Sequence, residues 1–283
     1  MAYENFIPTV WNESIDRELD RLCVFAEDCN RQYEGKVKEK GESVKILGVG
    51  KPTIRSIAKS ARNNDIEGPE EIEDTSVILQ INQIRYFNYM VGDIDKAQMS
   101  PSGIMDALAT ETSEELASSM DSYIASKVAD SNVKKLTATP TRVTEENVLD
   151  ILDDALQLLY ENDVKPSTEI VVTVTPRFYK LFKRAYAGKD TNNSGILKNG
   201  KVGMYGNATV KMSNNVFKSQ TSVANDTDNI MIRTKRAVAF VKALTHTEPY
   251  RPEKKFADAV KGFVLFDAKV VRPKEMINVN VTY

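Results

Sequence analysis

The stretch that most limits what this chain can fold into is the helical pattern from Pro101 to Ser131. Ser100 can cap it, because a serine hydroxyl reaches the free backbone N–H groups of a first turn. Pro101 suits the first helical position, where its missing N–H is no loss. Met105, Ala109, Leu116, Met120 and Tyr123 then fall on one side at helical spacing, flanked by Leu108 and Ile124. Asp106, Glu111, Glu114, Glu115 and Asp121 are expected on the opposite, solvated side. At 1.5 Å per residue such a rod is about 45 Å long, the length of a whole domain. A chain that lays one helix along its body is building something elongated.

The residues before this helix point the same way. Gly35, Gly41, Gly48 and Gly50 punctuate short β-type pieces such as Ser43 to Val49. Residues 60–74 are polar and rich in turn formers. From Thr75 to Val91 the chain is rich in Val, Ile, Tyr and Phe, which predicts a return strand. Seventeen residues in one strand would reach about 56 Å, whereas the mean strand is about 5–6 residues. An isolated hairpin of that length is marginal in water, so it is expected to lie on another subunit. Ahead of it, Phe6, Ile7, Pro8, Val10 and Trp11 show no period and read as an extended arm. Ile15, Leu19, Leu22, Cys23 and Ala26 follow as an amphipathic helix.

After the long helix, Lys134 to Thr144 is a polar connector. Val148, Leu152, Ala155, Leu156 and Leu159 mark the buried face of a second long helix. Glu169 to Thr175 is a short strand of buried type. Thr175-Pro176 opens a helix with Phe178, Leu181, Phe182 and Ala185 inward, which Gly188 stops. This run reads as a compact α/β unit. Beyond a Gly/Asn/Lys loop at 188–201 come β-type segments at 202–213, 229–244 and 260–272. In a final half-buried strand, Ile277, Val279 and Val281 alternate with Asn278, Asn280 and Thr282.

Composition removes several classes of function. The 283 residues carry 38 basic and 40 acidic side chains, a net charge of −2. A general grip on nucleic acid needs a basic surplus or stripe. No apolar run of about 18 residues is present, so no membrane span is expected, and the first residues lack the pattern of a signal peptide. Cys23 and Cys29 read as reduced, buried small hydrophobes. With one histidine, His246, triads built on histidine and multi-histidine metal sites are excluded. His246 stands between two threonines at an expected strand end, with no positioned partner for base catalysis. Residues 195–202 imitate a phosphate loop, but Val202 stands where a magnesium-binding Ser or Thr belongs, and no strand-to-helix context surrounds it. Asp93 and Asp95 lack a third ligand for a cation. No cofactor is expected.

Three groups of residues, in this order, resemble the tailed-bacteriophage major capsid proteins of the HK97 fold. The first is Phe6-Ile7-Pro8 with Val10-Trp11, then Tyr33-Glu34-Gly35 and Gly41-Glu42-Ser43-Val44-Lys45-Ile46. The second is Asp74-Thr75-Ser76-Val77, Arg85-Tyr86-Phe87-Asn88 and Asp93-Ile94-Asp95 with Ala97-Gln98. The third is Thr247-Glu248 with Tyr250-Arg251-Pro252-Glu253, then Phe256 to Gly262 and Ala268 to Pro273. The resemblance implies an α+β fold with an N-terminal arm (1–34), an extended β-hairpin loop (35–92) and a peripheral domain with a long spine helix (93–136). It further implies an axial domain (137–248), long peripheral strands (249–273) and a final strand returning to the axial domain (274–283).

The implied function is structural and not enzymatic. Copies of the chain would form hexamers and pentamers of an icosahedral shell around double-stranded DNA, held without sequence specificity. A portal is an expected partner, and a decoration protein is left open. Because the sequence begins directly at the arm, a separate scaffolding protein is expected, with assembly in the host cytoplasm and a place in the virion. Some members cross-link through a Lys, an Asn and a Glu. No Asn lies between Thr247 and Phe266, so a non-covalent shell is expected. Trp11, Lys51, Ile54, Arg55, Ile57 and Lys59 are the candidate contacts between subunits. Two other readings stay open. One is an encapsulin-like compartment of the same fold. The other is a cytoplasmic enzyme binding a phosphorylated ligand through residues 188–201.

Overall fold

The computed structural model describes residues 15, 18–34, 43–49, 54–57, 68, 74–92, 101–187, 204–222 and 225–283. The expected arm at 1–11, the hairpin tip, the Asp93–Asp95 pair, the Ser100 cap and the phosphate-loop imitation therefore lie outside the described residues.

The long helix, Pro101–Ser126, tightens into a 3-10 turn at Lys127–Ala129 and ends there. Its 26 residues make a rod of about 39 Å, shorter than the pattern to Ser131 predicted. Leu116, Ala117, Met120, Ile124 and Ala125 are buried in a cluster with Ile15, Leu19 and Phe25 of the arm and Val264, Phe266 and Ala268 near the C-terminus. Asp121 is the correction on this helix. It is 2% exposed, not solvated, because it lies in step with Ala117, Ile124 and Val128 on the covered face. Labels follow chain order: α1 is the short helix Val24–Glu27 and α2 is Pro101–Ser126.

The expected seventeen-residue return strand is two strands in two sheets. β1 (Ser43–Val49) pairs antiparallel with β2 (Asp74–Gln80) as a two-stranded sheet. The chain then breaks at Ile81 and Asn82, and β3 (Gln83–Gly92) joins another sheet. Ile81 turns inward with Val44, Ile46 and Leu79 against Ala239, Val241 and Leu265. The backbone N–H of Asn82 donates to the Asp267 carboxylate at 3.1 Å. The base of the hairpin thus packs on its own chain, which corrects the expectation that the arm lies wholly on another subunit.

The largest sheet gathers short pieces around three buried strands. β4 (Lys134–Lys135) and β5 (Thr141–Arg142) lie along β13 (Met276–Thr282). β13 pairs with β10 (Asn225–Thr234), β10 with β6 (Ile170–Val174), β6 with β8 (Ala208–Met212), and β8 with β7 (Met204–Tyr205). β9 (Lys218–Ser222) folds back on β10. Two helices cover one face: α3 (Val148–Glu161) and α4 (Pro176–Ala187). Their buried Leu152, Ala155, Leu159, Phe178 and Phe182 meet Ile230, Ile232, Ile277 and Val279, as the helical and alternating patterns required.

The other face of this sheet was expected to be wet. Instead Asn278 and Asn280 are buried, since α2 and the arm lie over it. The Asn278 amide donates to the Val128 carbonyl and to Asn229, each at 3.2 Å, so its burial is partly compensated.

From β10 the chain turns at residues 235–237 into the third sheet, in the order β11 (Val238–Tyr250), β12 (Ala257–Val270) and β3. His246 sits within β11, not at a strand end, and its ring lies 5.8 Å from that of Phe263. Gly262 is fixed by a close approach: a Cβ there would run into the Phe87 ring and the His246 carbonyl oxygen. Cys23 and Cys29 are buried free thiols, as expected.

Candidate assembly surfaces

The arm is held to the body by two buried charges at the two ends of α1. Asp121 of α2 accepts the backbone N–H groups of Val24 and Phe25 at 2.7 and 3.0 Å. Arg233 of β10 donates to the carbonyls of Asp28 and Phe25 at 2.6 and 2.9 Å, and to the Cys29 sulfur at 3.2 Å. A helix end leaves such N–H and C=O groups without partners, and here side chains from two separate elements supply them. Arg233 is fully buried. Burial pushes the Asp121 carboxyl up to about 6, against the pull of the arm's N–H groups and of Arg233. Lys211 adds ion pairs to Glu27 and Asp28 at 2.8 and 2.7 Å. Neither Asp121 nor Arg233 stood out in the sequence. The signal for Asp121 was its spacing, four residues after Ala117 and three before Ile124.

A second surface is apolar and uncovered. Along β3 the side chains alternate between half-buried and exposed. Arg85 and Phe87 face the chain's own body, where Arg85 donates to Ser119 of α2 at 2.9 Å. Ile84, Tyr86 and Met90 point outward, and Tyr86 is 80% exposed. Phe256, just before β12, is 88% exposed. The sequence carried this signal too. Apolar residues occupy both parities of β3, the mark of a strand covered on two faces, yet the described residues cover only one.

Of the six candidate contact residues, Trp11, Lys51 and Lys59 lie outside the described residues. Ile54, Arg55 and Ile57 fall in one exposed, extended run at 54–57. Ile54 is 93% and Ile57 52% exposed. Scattered exposed hydrophobics are ordinary; here two isoleucines share one four-residue run that is exposed throughout.

A groove of about 730 Å³ lies between α3 and the β7–β8 turn, lined by Asp153, Tyr160, Glu161, Tyr205 and Asn207. Tyr205 donates to Asp153 at 2.9 Å. Among the described residues no group of three His, Cys, Asp or Glu side chains is placed to hold a metal. None of the described helices is long and apolar enough to cross a membrane.

No family model and no curated protein matches the chain by sequence. Its fold has clear counterparts among solved structures. A structure of Mycobacterium phage Che8 is 26% identical, with 90% of each chain covered and a TM-score of 0.73. The capsid structure of cyanophage P-SCSP1u is 16% identical over 90% of this chain and 87% of that one, with a TM-score of 0.69. A virus-like particle from Pyrococcus furiosus is 10% identical, with 96% and 98% covered and a TM-score of 0.61. The class is thereby defined: the chain has the α+β capsid fold of HK97 type that its sequence motifs implied. Solved structures that share it include the capsids of cyanophage P-SCSP1u and bacteriophage PhiM1, to which this chain is similar.

Proposed function

We propose that many copies of this chain close into the icosahedral head shell of a tailed phage around double-stranded DNA. One observation carries the reading. A capsid fold extends over nine-tenths of the chain, and it leaves large apolar residues bare: Ile54 and Ile57 in the loop, Tyr86 and Met90 on β3. A shell subunit needs such uncovered surface, because each copy must bind several others by unlike patches. The role is structural, and the described side chains call for no cofactor.

On this reading residues 1–34 are the arm, 35–92 the extended loop, 93–136 the peripheral domain with its spine α2, and 249–273 the long peripheral strands. The axial domain begins at 137 and takes in the last strand, 274–283. Its far boundary is proposed at 248, and the pairing of Val238–Tyr250 with the long strand Ala257–Val270 supports drawing it back toward 237. Further partners are a separate scaffolding protein and a portal, with assembly in the host cytoplasm. Contacts by Trp11, Lys51 and Lys59 belong to the same proposal.

Expression alone and with a scaffolding protein, followed by sedimentation and electron microscopy, tests the reading. Closed shells are expected. A chain that stays monomeric under every assembly condition would refute it. The likeness to the Pyrococcus furiosus particle, which covers 96% of this chain, favours a second reading, a shell loaded with protein cargo. Particles that package protein and exclude DNA in the presence of a phage portal and packaging motor would establish that alternative.

A further inference from the structure

α3 and α4 lie side by side on one face of the largest sheet. Both start at the end where β6 and β13 finish: α4 follows β6 directly, and Val143, just before α3, bonds to Thr282. The two helices therefore run parallel. Their charges are completely segregated. α3 carries Asp150, Asp153, Asp154 and Glu161 and no basic residue. α4 carries Arg177, Lys180, Lys183 and Arg184 and no acidic residue. All eight are exposed. None makes an ion pair with a described residue, so no bridge joins the helices across their contact.

Much of the pattern works against the isolated subunit. Asp150 with Asp154, and Lys180 with Arg184, place like charges four residues apart, which destabilises a helix. Arg177 sits in a first turn and Glu161 in a last turn, each opposing the helix dipole. Asp150 in the first turn of α3 and Arg184 in the last turn of α4 do favour their helix dipoles, but no ion pair among the described residues makes use of the segregation. A ring of identical subunits does, because a head-to-tail interface needs two unlike, complementary patches on every copy. The groove beside Asp153 and Glu161, walled by Tyr160 and Tyr205, adds a place where a long basic side chain can lay its stem on an aromatic ring and its charge on a carboxylate.

We propose that the acidic stripe of α3 receives the basic stripe of α4 from a second copy of this chain, and that this pairing sets neighbours around the capsomer ring. The proposal rests on the shell reading and deepens it by naming one interface. Equal numbers of opposite charges on adjacent helices favour a second copy over nucleic acid, which would engage only the basic stripe.

The test uses the full chain under conditions in which the parent forms shells. Lys180→Glu with Arg184→Glu leaves Arg177 and Lys183 in place and so cancels the net positive charge of α4. Asp150→Lys with Asp154→Lys leaves Asp153 and Glu161 in place and so cancels the net negative charge of α3. Each is expected to lower the assembled fraction in sedimentation by about tenfold or more, while its melting curve stays that of the parent, since only exposed charges change. The chain with all four substitutions restores opposite signs between positions 150 and 154 of one copy and 180 and 184 of the next, and is expected to assemble again. Either paired variant assembling like the parent overturns the proposal. So does a four-fold variant that melts like the parent and forms no shells. Shells of the Lys180→Glu, Arg184→Glu chain that form normally but lose DNA would assign the basic stripe to nucleic acid, and also overturn it. A parent chain that forms no shells would instead bring down the shell reading, and this interface with it.

Discussion

Replacing Arg233 with methionine should release the arm from the body of the subunit. Arg233 is fully buried, and it donates to the Phe25 and Asp28 carbonyls at 2.9 and 2.6 Å. A hydrogen bond to a charged group contributes about 1.5–3 kcal/mol. Removing one partner from a buried charged network typically costs about 3–5 kcal/mol, because the groups left behind stay desolvated. Methionine restores part of the apolar contact, which sets the expected loss near 3 kcal/mol, at the low end of that range. The groups left behind are the two carbonyls and the Asp121 carboxylate on the other end of α1. A drop of about 6–12 °C in the melting midpoint follows for a chain of this size. Hydrogen exchange reads the effect locally. Amides of residues 24–30 should lose protection in the variant, while those of β6 and β13 keep theirs. Unchanged protection in residues 24–30, with a midpoint within about 2 °C of the parent, would refute the reasoning.

Four further outcomes are expected. Asp121→Asn should change the pH dependence of stability. The carboxyl titrates near 6 in the folded chain against an ordinary 3.8, so its contribution is complete below about pH 4 and is lost as pH rises through 6; roughly 3 kcal/mol of pH-dependent stability should be missing from denaturant titrations of the variant across that window. Gly262→Ala should destabilise by about 1–3 kcal/mol through overpacking against Phe87 and the His246 carbonyl, measured by chemical denaturation; a stability equal to the parent's would contradict the close approach. Ile54→Asp with Ile57→Asp should leave the melting curve intact and abolish shells in the electron microscope; normal shells would remove residues 54–57 from the interface. Purified particles boiled in detergent should run as a single band at 31.7 kDa, whereas a ladder of multimers would show cross-linking.

Periodic elements were legible in the sequence, and contacts between distant segments were not. α3 and α4 could be read because each buries one clean stripe: Leu152, Ala155 and Leu159, then Phe178 and Phe182. The division between β2 and β3 could not be placed, since no glycine or proline marks it. It arises where Ile81 enters the cluster under Ala239 and Leu265 and Asn82 meets Asp267, contacts more than 150 residues away in sequence. The only local trace is the polar run Gln80, Asn82 and Gln83 around Ile81. Arg233 was hidden by its surroundings. On an alternating strand it reads as the wet side opposite Ile230 and Ile232, and only the arm lying over that face reveals it as a buried cap. Of the candidate assembly surfaces, the loop residues Ile54 and Ile57 were named from the family resemblance, while the exposure of Tyr86, Met90 and Phe256 could not be read because each is ordinary strand material taken singly.

These contacts divide the subunit into a joined part and a free part. The cluster around Phe25 and Met120 includes Met231 and Met276 from the largest sheet, and Val264 and Phe266 from the three-stranded sheet. The arm therefore ties both sheets and α2 together, and Arg233 and Asp121 fasten it at the place where β10 hands over to β11. The helical layer of α3 and α4 takes no part in this joint, since its cluster draws only on the opposite face of the largest sheet. Charge placed on that layer can be given over to neighbours without weakening the joint. Burying ionised groups is costly unless they are fully paired, which is why the clasp spends its two charges on backbone groups of α1, and why the eight segregated charges of α3 and α4 stay outside, available to a second subunit.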